Sequence, residues 1–167
     1  MTKQLWQVAR KDRWSATDLL RFTKVFEPPV PVEEIAKKLG AVVHYESDPG
    51  WTGAIQVVAG IPHIWVDKDH GTCRQRFTIA HEIGHLLLHK MEKLEKGQYR
   101  DNAKFKGGTD EVEANRFAAD LLVPMWMLEK HADEWDLNVM YLKDIFEVSY
   151  TMMDICIGRL CRSGKWY

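Results

Sequence analysis

The sequence predicts an α+β fold in which a small sheet is followed mostly by helix, and three observations carry that prediction. The stretch from Ala41 to Val66 is dominated by β-branched residues. Apolar residues recur at helical spacing both before and after it. The chain has 167 residues, 46% of them hydrophobic, which is core enough for one compact domain and too little for two large ones. A single domain over 1–167 is therefore expected, with N-terminal helices in 1–40, the sheet in 41–66, central helices in 73–124 and a C-terminal helical segment in 125–167.

Taken in order, Ser15 precedes a helical pattern that runs to about Phe26 on Leu19, Leu20, Phe22 and Val25, and Pro28, Pro29 and Pro31 stop it. A second short helix is expected over Val32 to Leu39, closed by Gly40. Two or three strands follow, from Ala41 to Tyr45, Gly53 to Val58 and Ile61 to Val66, with a hairpin turn at Ala59-Gly60. Cys73 to Lys90, Asp110 to Leu122, Pro124 to Ala132, Val139 to Phe146 and Thr151 to Cys161 read as helices. Between the first two of these, Met91 to Gly108 is polar and rich in Lys, Glu, Gly, Asp and Asn, so it reads as a loop, and loops of that length are often functional.

Composition excludes several roles. Lys and Arg number 23 against 24 Asp and Glu, a net charge of -1, so no strong field draws the chain to nucleic acid or anionic lipid. No apolar run is long enough to span a bilayer and Met1 to Trp14 lacks a signal core, so a cytoplasmic location is expected and no membrane partner. Cys73, Cys156 and Cys161 form no CxxC pair and read as reduced thiols.

The chemistry starts at His81-Glu82-Ile83-Gly84-His85, an H-E-x-x-H pattern. Two histidines four apart lie one helical turn apart on one face, so both imidazoles reach one Zn²⁺, with Glu82 beside the place where a water on that ion would sit. On a helical wheel Phe77, Ile79, Ala80, Ile83, Gly84, Leu86 and Leu87 cover most of the circumference, which makes this an interior helix. The remaining sector gathers Thr78, His81, Glu82, His85 and His89, a buried polar stripe that needs partners. His89 lies eight residues from His81, about 12 Å along a straight helix, too far to share an ion with it. The metzincin extension is also absent, since Leu88 and Met91 stand where Gly and His are needed.

The third ligand must come from another element. On a wheel of Asp110 to Leu122, Glu111 and Asn115 share the apolar side with Ala118 and Leu122, whereas Glu113, Arg116 and Asp120 form a solvated, mutually paired face. A carboxylate on an apolar face is costly unless it meets a cation, so Glu111 is the expected third ligand, with Asp110 and Glu113 as competitors. Asn115, one turn on, is placed to orient a ligand side chain. No oxyanion stabiliser stands out among His63, His70, Tyr99 and Arg76. An extended substrate strand is expected to add to the edge of Gly53 to Val58.

Two segments, Arg76 to His89 around H-E-x-x-H and Glu111-Val112-Glu113-Ala114-Asn115-Arg116-Phe117-Ala118-Ala119-Asp120-Leu121-Leu122-Val123-Pro124, resemble the ImmA/IrrE family of metallopeptidases, the second matching its E-x-x-A-N-x-F-A-x-x-L-L-x-P run. Thr52-Gly53-Ala54-Ile55 also looks like that family. The resemblance implies a zincin-like fold, a small twisted sheet packed on the active-site helix with extra C-terminal helices. It implies a gluzincin-like site in which His81, His85 and Glu111 hold one Zn²⁺ and Glu82 is the catalytic carboxylate. It further implies a protein substrate, since members often sit beside a helix-turn-helix (XRE-type) repressor or in mobile-element and toxin-antitoxin loci, and some relieve repression by cleaving that repressor. Two alternatives stand beside this reading. A metal-stabilised regulatory or antitoxin-type protein would bind its partner without turnover. A DNA-binding regulator would use Leu142 to Leu160, two helices meeting at a tight turn with Ser149 as N-cap; few basic residues open the second helix, so core packing is expected there and direct nucleic-acid binding is not.

Overall fold

The computed structural model describes residues 4–97, 99–100, 108–135 and 137–163. Three short helices come first: α1 (Leu5–Lys11), α2 (Ala16–Thr23) and α3 (Val32–Leu39). The sequence did not foretell α1, because only Trp6 and Ala9 of its seven residues are buried, too few to establish a period. Ser15 and Asp18 cap α2 reciprocally: the Ser15 hydroxyl accepts the Asp18 N–H and the Asp18 carboxylate accepts the Ser15 N–H. This helix ends earlier than expected, at Lys24, which turns into the left-handed region. Gly40 closes α3 at φ 91°, a conformation in which a Cβ would be strained.

Strands β1 (Val42–Glu46), β2 (Gly53–Val58), β3 (Ile61–Asp67) and β4 (Tyr99–Arg100) form one sheet in the order β1-β3-β2-β4. Ala59 and Gly60 both have positive φ, 50° and 79°, the backbone of a tight two-residue hairpin that matches strand twist. β1 runs parallel to β3, while β2 is antiparallel to β3 and β4. Ile55, Val57, Ile64 and Val66 are buried and His63 and Trp65 half-buried, as a sheet with one covered face requires.

Met91 to Gly108 is not a plain loop: α5 (Met91–Glu95) and β4 lie inside it. Leu94 is fully buried and Gln56 donates to the Glu95 carbonyl at 3.0 Å, so one apolar anchor docks a segment whose charged composition suggested solvent. Residues 98 and 101–107 of that segment lie outside the described residues. The pairing of β4 with Ala54 and Ile55 also takes part of the β2 edge that a substrate strand was expected to use.

The remaining helices are α4 (Thr72–Leu88), α6 (Thr109–Leu122), α7 (Met125–Trp135), α8 (Val139–Phe146) and α9 (Tyr150–Arg162), and with the sheet they make the α+β arrangement the sequence predicts. α4 is the axis, packed on β2 and β3 and against α6. Ile79, Ile83, Leu86 and Leu87 of α4 leave water almost completely, each contributing about 1.5–3 kcal/mol, which offsets the cost of placing His81, Glu82 and His85 in the same interior. Gly84 brings α6 close, since a Cβ there would stand 3.1 Å from Ala114 Cα. Arg10 of α1 donates to the Leu86 and His89 carbonyls, closing the end of α4 where unpaired carbonyls gather. At the C-terminal end, Ser149 accepts the Met152 N–H and caps α9, and Phe146, Val148, Met153 and Leu160 are buried on either side of that turn.

Candidate metal centre

His81 and His85, one turn apart on α4, are 2% and 1% exposed, and their Nε2 atoms stand 2.9 Å apart. Glu111, in the first turn of α6, places Oε2 at 3.2 Å from His81 Nε2 and Oε1 at 3.3 Å from His85 Nε2. The three form the only cluster of this kind among the described residues. The close approach of α4 and α6 at Gly84 is what lets Glu111 reach across. A carboxylate in the first turn is also favoured by the helix dipole.

The other ring nitrogens are already engaged. His81 Nδ1 meets Asn115 Oδ1 at 3.0 Å, so Nδ1–H donates and the Nε2 lone pair faces the cluster. His89 Nε2–H donates to Glu113 Oε2 at 3.3 Å, which leaves His89 Nδ1 to accept from His85 Nδ1–H at 2.8 Å. The lone pair of His85 Nε2 is thereby turned inward as well. His89 and Glu113 are thus tied to the site, an arrangement the sequence reading missed. Glu113 is exposed, as a solvated face requires, but the antiparallel run of α4 and α6 also brings its carboxylate to His89 at the end of α4. The HxxxH spacing of His85 and His89 was the available signal, since it repeats the one-turn step of His81 and His85.

Burial pushes His85 below its ordinary value, toward the neutral ring. Burial alone would raise Glu111, but its contacts with His81 and His85 outweigh that and hold the carboxyl well below the usual carboxylate range. Two inward lone pairs and one anionic carboxylate around a single point repel one another unless a cation sits among them. Ligand atoms about 2.0–2.2 Å from one tetrahedral ion lie about 3.3–3.6 Å apart. The two Glu111 separations of 3.2 and 3.3 Å are close to that, and the two imidazole nitrogens at 2.9 Å are nearer together. The donor set therefore fits a divalent ion of the zinc type.

Glu82 is 1% exposed and its carboxylate is packed against the start of β2. A Cβ on Gly53 would lie 2.8 Å from Glu82 Oε1 and 2.3 Å from Thr78 Cγ2, so the absence of a side chain at position 53 sets where the Glu82 carboxylate stands. Of the competitors for the third ligand, Asp110 accepts from Lys93 at 2.6 Å and Glu113 meets His89. Asn115 touches His81 as expected but is exposed rather than embedded in an apolar side. Among the oxyanion candidates, Arg76 donates to the Val30 and Glu147 carbonyls, His70 is beside Asp67, and His63 is on the outer sheet face against His44. The side chain of Tyr99 lies outside the described residues.

A small sheet packed on a helix that carries H-E-x-x-H, facing a carboxylate on the next long helix, defines a metallopeptidase-type site. Residues 36–157 match the IrrE N-terminal-like domain family (Peptidase_M78), and the chain belongs to that family. Among curated proteins, none matches the chain. One solved structure to which it is similar is a Mycobacterium tuberculosis transcriptional regulator, with a TM-score of 0.59, 13% identity, 89% of this chain and 48% of that chain covered. The chain thus spans about half the length of that protein, and the likeness is one of fold. No helix among the described residues is long and apolar enough to cross a membrane.

Proposed function

We propose that the chain is a zinc-dependent endopeptidase of gluzincin type, with His81, His85 and Glu111 holding one ion and Glu82 acting as general base. The observation that supports it most is the convergence of His81 Nε2, His85 Nε2 and Glu111 on one point while Asn115 and His89 hold the ring nitrogens behind them. When bound, the ion supplies a water of lowered pKa and polarises the scissile carbonyl. Glu82 takes the proton of the attacking water and delivers it to the leaving amine, and the bare backbone of Gly53 leaves room for its carboxylate. Asn115 and the His89–Glu113 pair hold both imidazoles in their orientation.

The substrate we propose is a specific cytoplasmic protein, a helix-turn-helix repressor or antitoxin, whose cleavage relieves repression. The resemblance to the ImmA/IrrE family supports it. New protein N-termini compared between cells expressing wild type and cells expressing Glu82→Gln test the proposal. Termini that depend on Glu82, one of them inside a helix-turn-helix regulator, are expected. Identical termini in the two strains, with both proteins loaded with metal, would instead favour a protein that works by binding its partner without turnover.

A further inference from the structure

We propose that the groove between α4, α6 and α9 is the substrate-docking surface of this peptidase, and that it takes an extended polypeptide segment carrying a bulky apolar side chain with acidic neighbours. The inference deepens the peptidase reading and rests on it. The groove, whose lining includes Asn115 and Phe77, both of which touch His81, has a volume of about 820 Å³. That is within the range of about 300–1,000 Å³ typical of built ligand sites and leaves room for several side chains.

Its floor is apolar, from Phe77 of α4, Ala119 of α6 and Met152, Ile155 and Cys156 of α9. Ile155 is 56% exposed and faces this space, and Met152 beside it is the type of side chain that adapts to varied apolar partners. The rim is basic, with Arg74, Arg116 and Arg159 from the same three helices. Asp120 meets Arg159 at 2.8 Å and Arg116 at 4.0 Å, so one carboxylate answers two guanidinium groups. Arg74 lies over the Phe77 ring at 5.8 Å. In a chain of net charge -1 this concentration of arginine is local, and it complements a segment with acidic side chains.

Position connects the groove to the chemistry. Asn115 lines it and at the same time holds His81 Nδ1, and the Phe77 ring is 6.1 Å from the His81 ring. The groove therefore begins about one helical turn from the metal ligands. An extended chain advances about 3.3 Å per residue, so a side chain seated on Phe77 and Ile155 belongs to a residue about two or three positions from the bond to be cut. The C-terminal helices acquire a role by the same geometry, since α9 supplies the outer wall.

The test uses one defined library of synthetic peptides in two ways: digestion by zinc-loaded wild type with the products sequenced, and equilibrium capture by zinc-loaded Glu82→Gln. Products are expected to be enriched in Leu, Ile, Met or Phe about two or three residues from the new terminus, with Asp or Glu adjacent. Ile155→Arg should raise KM by about 10-fold or more with kcat and zinc content little changed, as loss of an apolar contact does. Arg116→Glu, at a surface position, should exchange the acidic preference for a basic one, which a structural role would not do; it also carries the test if Ile155→Arg fails to fold. Wild-type profiles in both variants would overturn the proposal, as would a library neither cut nor captured. Capture that depends on Ile155 without cleavage by wild type would leave the docking surface standing and remove the peptidase reading. Binding of a DNA duplex that Arg116→Glu abolishes, with peptides ignored, would assign the basic rim to nucleic acid instead.

Discussion

Two pairs of histidines in this molecule face each other at 2.9 Å, and only one of them shares its free space with a carboxylate. His81 and His85 are fully buried on α4 and share their free space with the Glu111 carboxylate. His44 and His63 sit on the outer face of the sheet, half-buried, with ring planes 15° apart and the Trp65 ring stacked beside both. Burial lowers His63 as it lowers His85, so a neutral ring is common to both pairs. The difference is the carboxylate and the groups behind the rings. Imidazole proximity is cheap to achieve on paired strands or on one helix face, whereas an anionic third ligand with prearranged tautomers requires a second element to be held close.

Breaking the carboxylate should have the largest effect. Glu111→Gln is expected to weaken metal binding by more than the roughly 10–100-fold that outer partners contribute, measured by chelator competition, and activity should vanish with the metal. His63→Gln should leave metal stoichiometry unchanged in the same assay, which sharpens the contrast between the pairs.

The next effect concerns placement of Glu82. Gly53→Ala should displace its carboxylate and lower the cleavage rate by about 100-fold while metal content is retained, because misplacement by about 1 Å costs that much. Adding Thr78→Ser removes the methyl at 2.3 Å and should recover thermal stability, but the 2.8 Å approach to Glu82 persists and the rate should stay low. Recovery of both together would show that position 53 affects only packing.

His89→Gln should lower metal affinity by about 10–100-fold, since His85 loses the group that accepts its Nδ1–H. An unchanged affinity would detach His89 and Glu113 from the site. The smallest effect belongs to the outer pair. The folded protein holds His63 below its ordinary value of 6.5, so the unfolded chain takes up that proton first and stability falls as pH drops through about 6.5. Denaturant unfolding of His63→Gln should show a shallower fall with pH than wild type.

The strongest elements of this account were legible in the sequence because they rest on local chemistry. The period of α4, the cap at Ser15, the Gly40 stop and the Ala59-Gly60 turn are written in adjacent residues. The choice of Glu111 came from a helix wheel, since a polar group on an apolar helix face needs a partner elsewhere, and the structure brings that carboxylate beside His81 and His85. What escaped depends on which elements meet. That the exposed Glu113 also reaches His89 depends on the antiparallel packing of α6 on α4. α5 and β4 hid in a charged segment because one buried leucine and a short strand pairing leave little periodic trace. The groove draws on residues 71 to 159, and no linear motif reports such a surface.

In the proposed mechanism one ion held by His81, His85 and Glu111 works with Glu82 to cut a peptide bond. Native mass spectrometry of wild type and Glu82→Gln, with peptide cleavage followed in the same samples, tests it most directly. One metal ion in each protein is expected, with cleavage by the variant slower than wild type by about 10²–10⁴-fold. Equal cleavage by the two proteins, or a wild type that binds no ion, would contradict it.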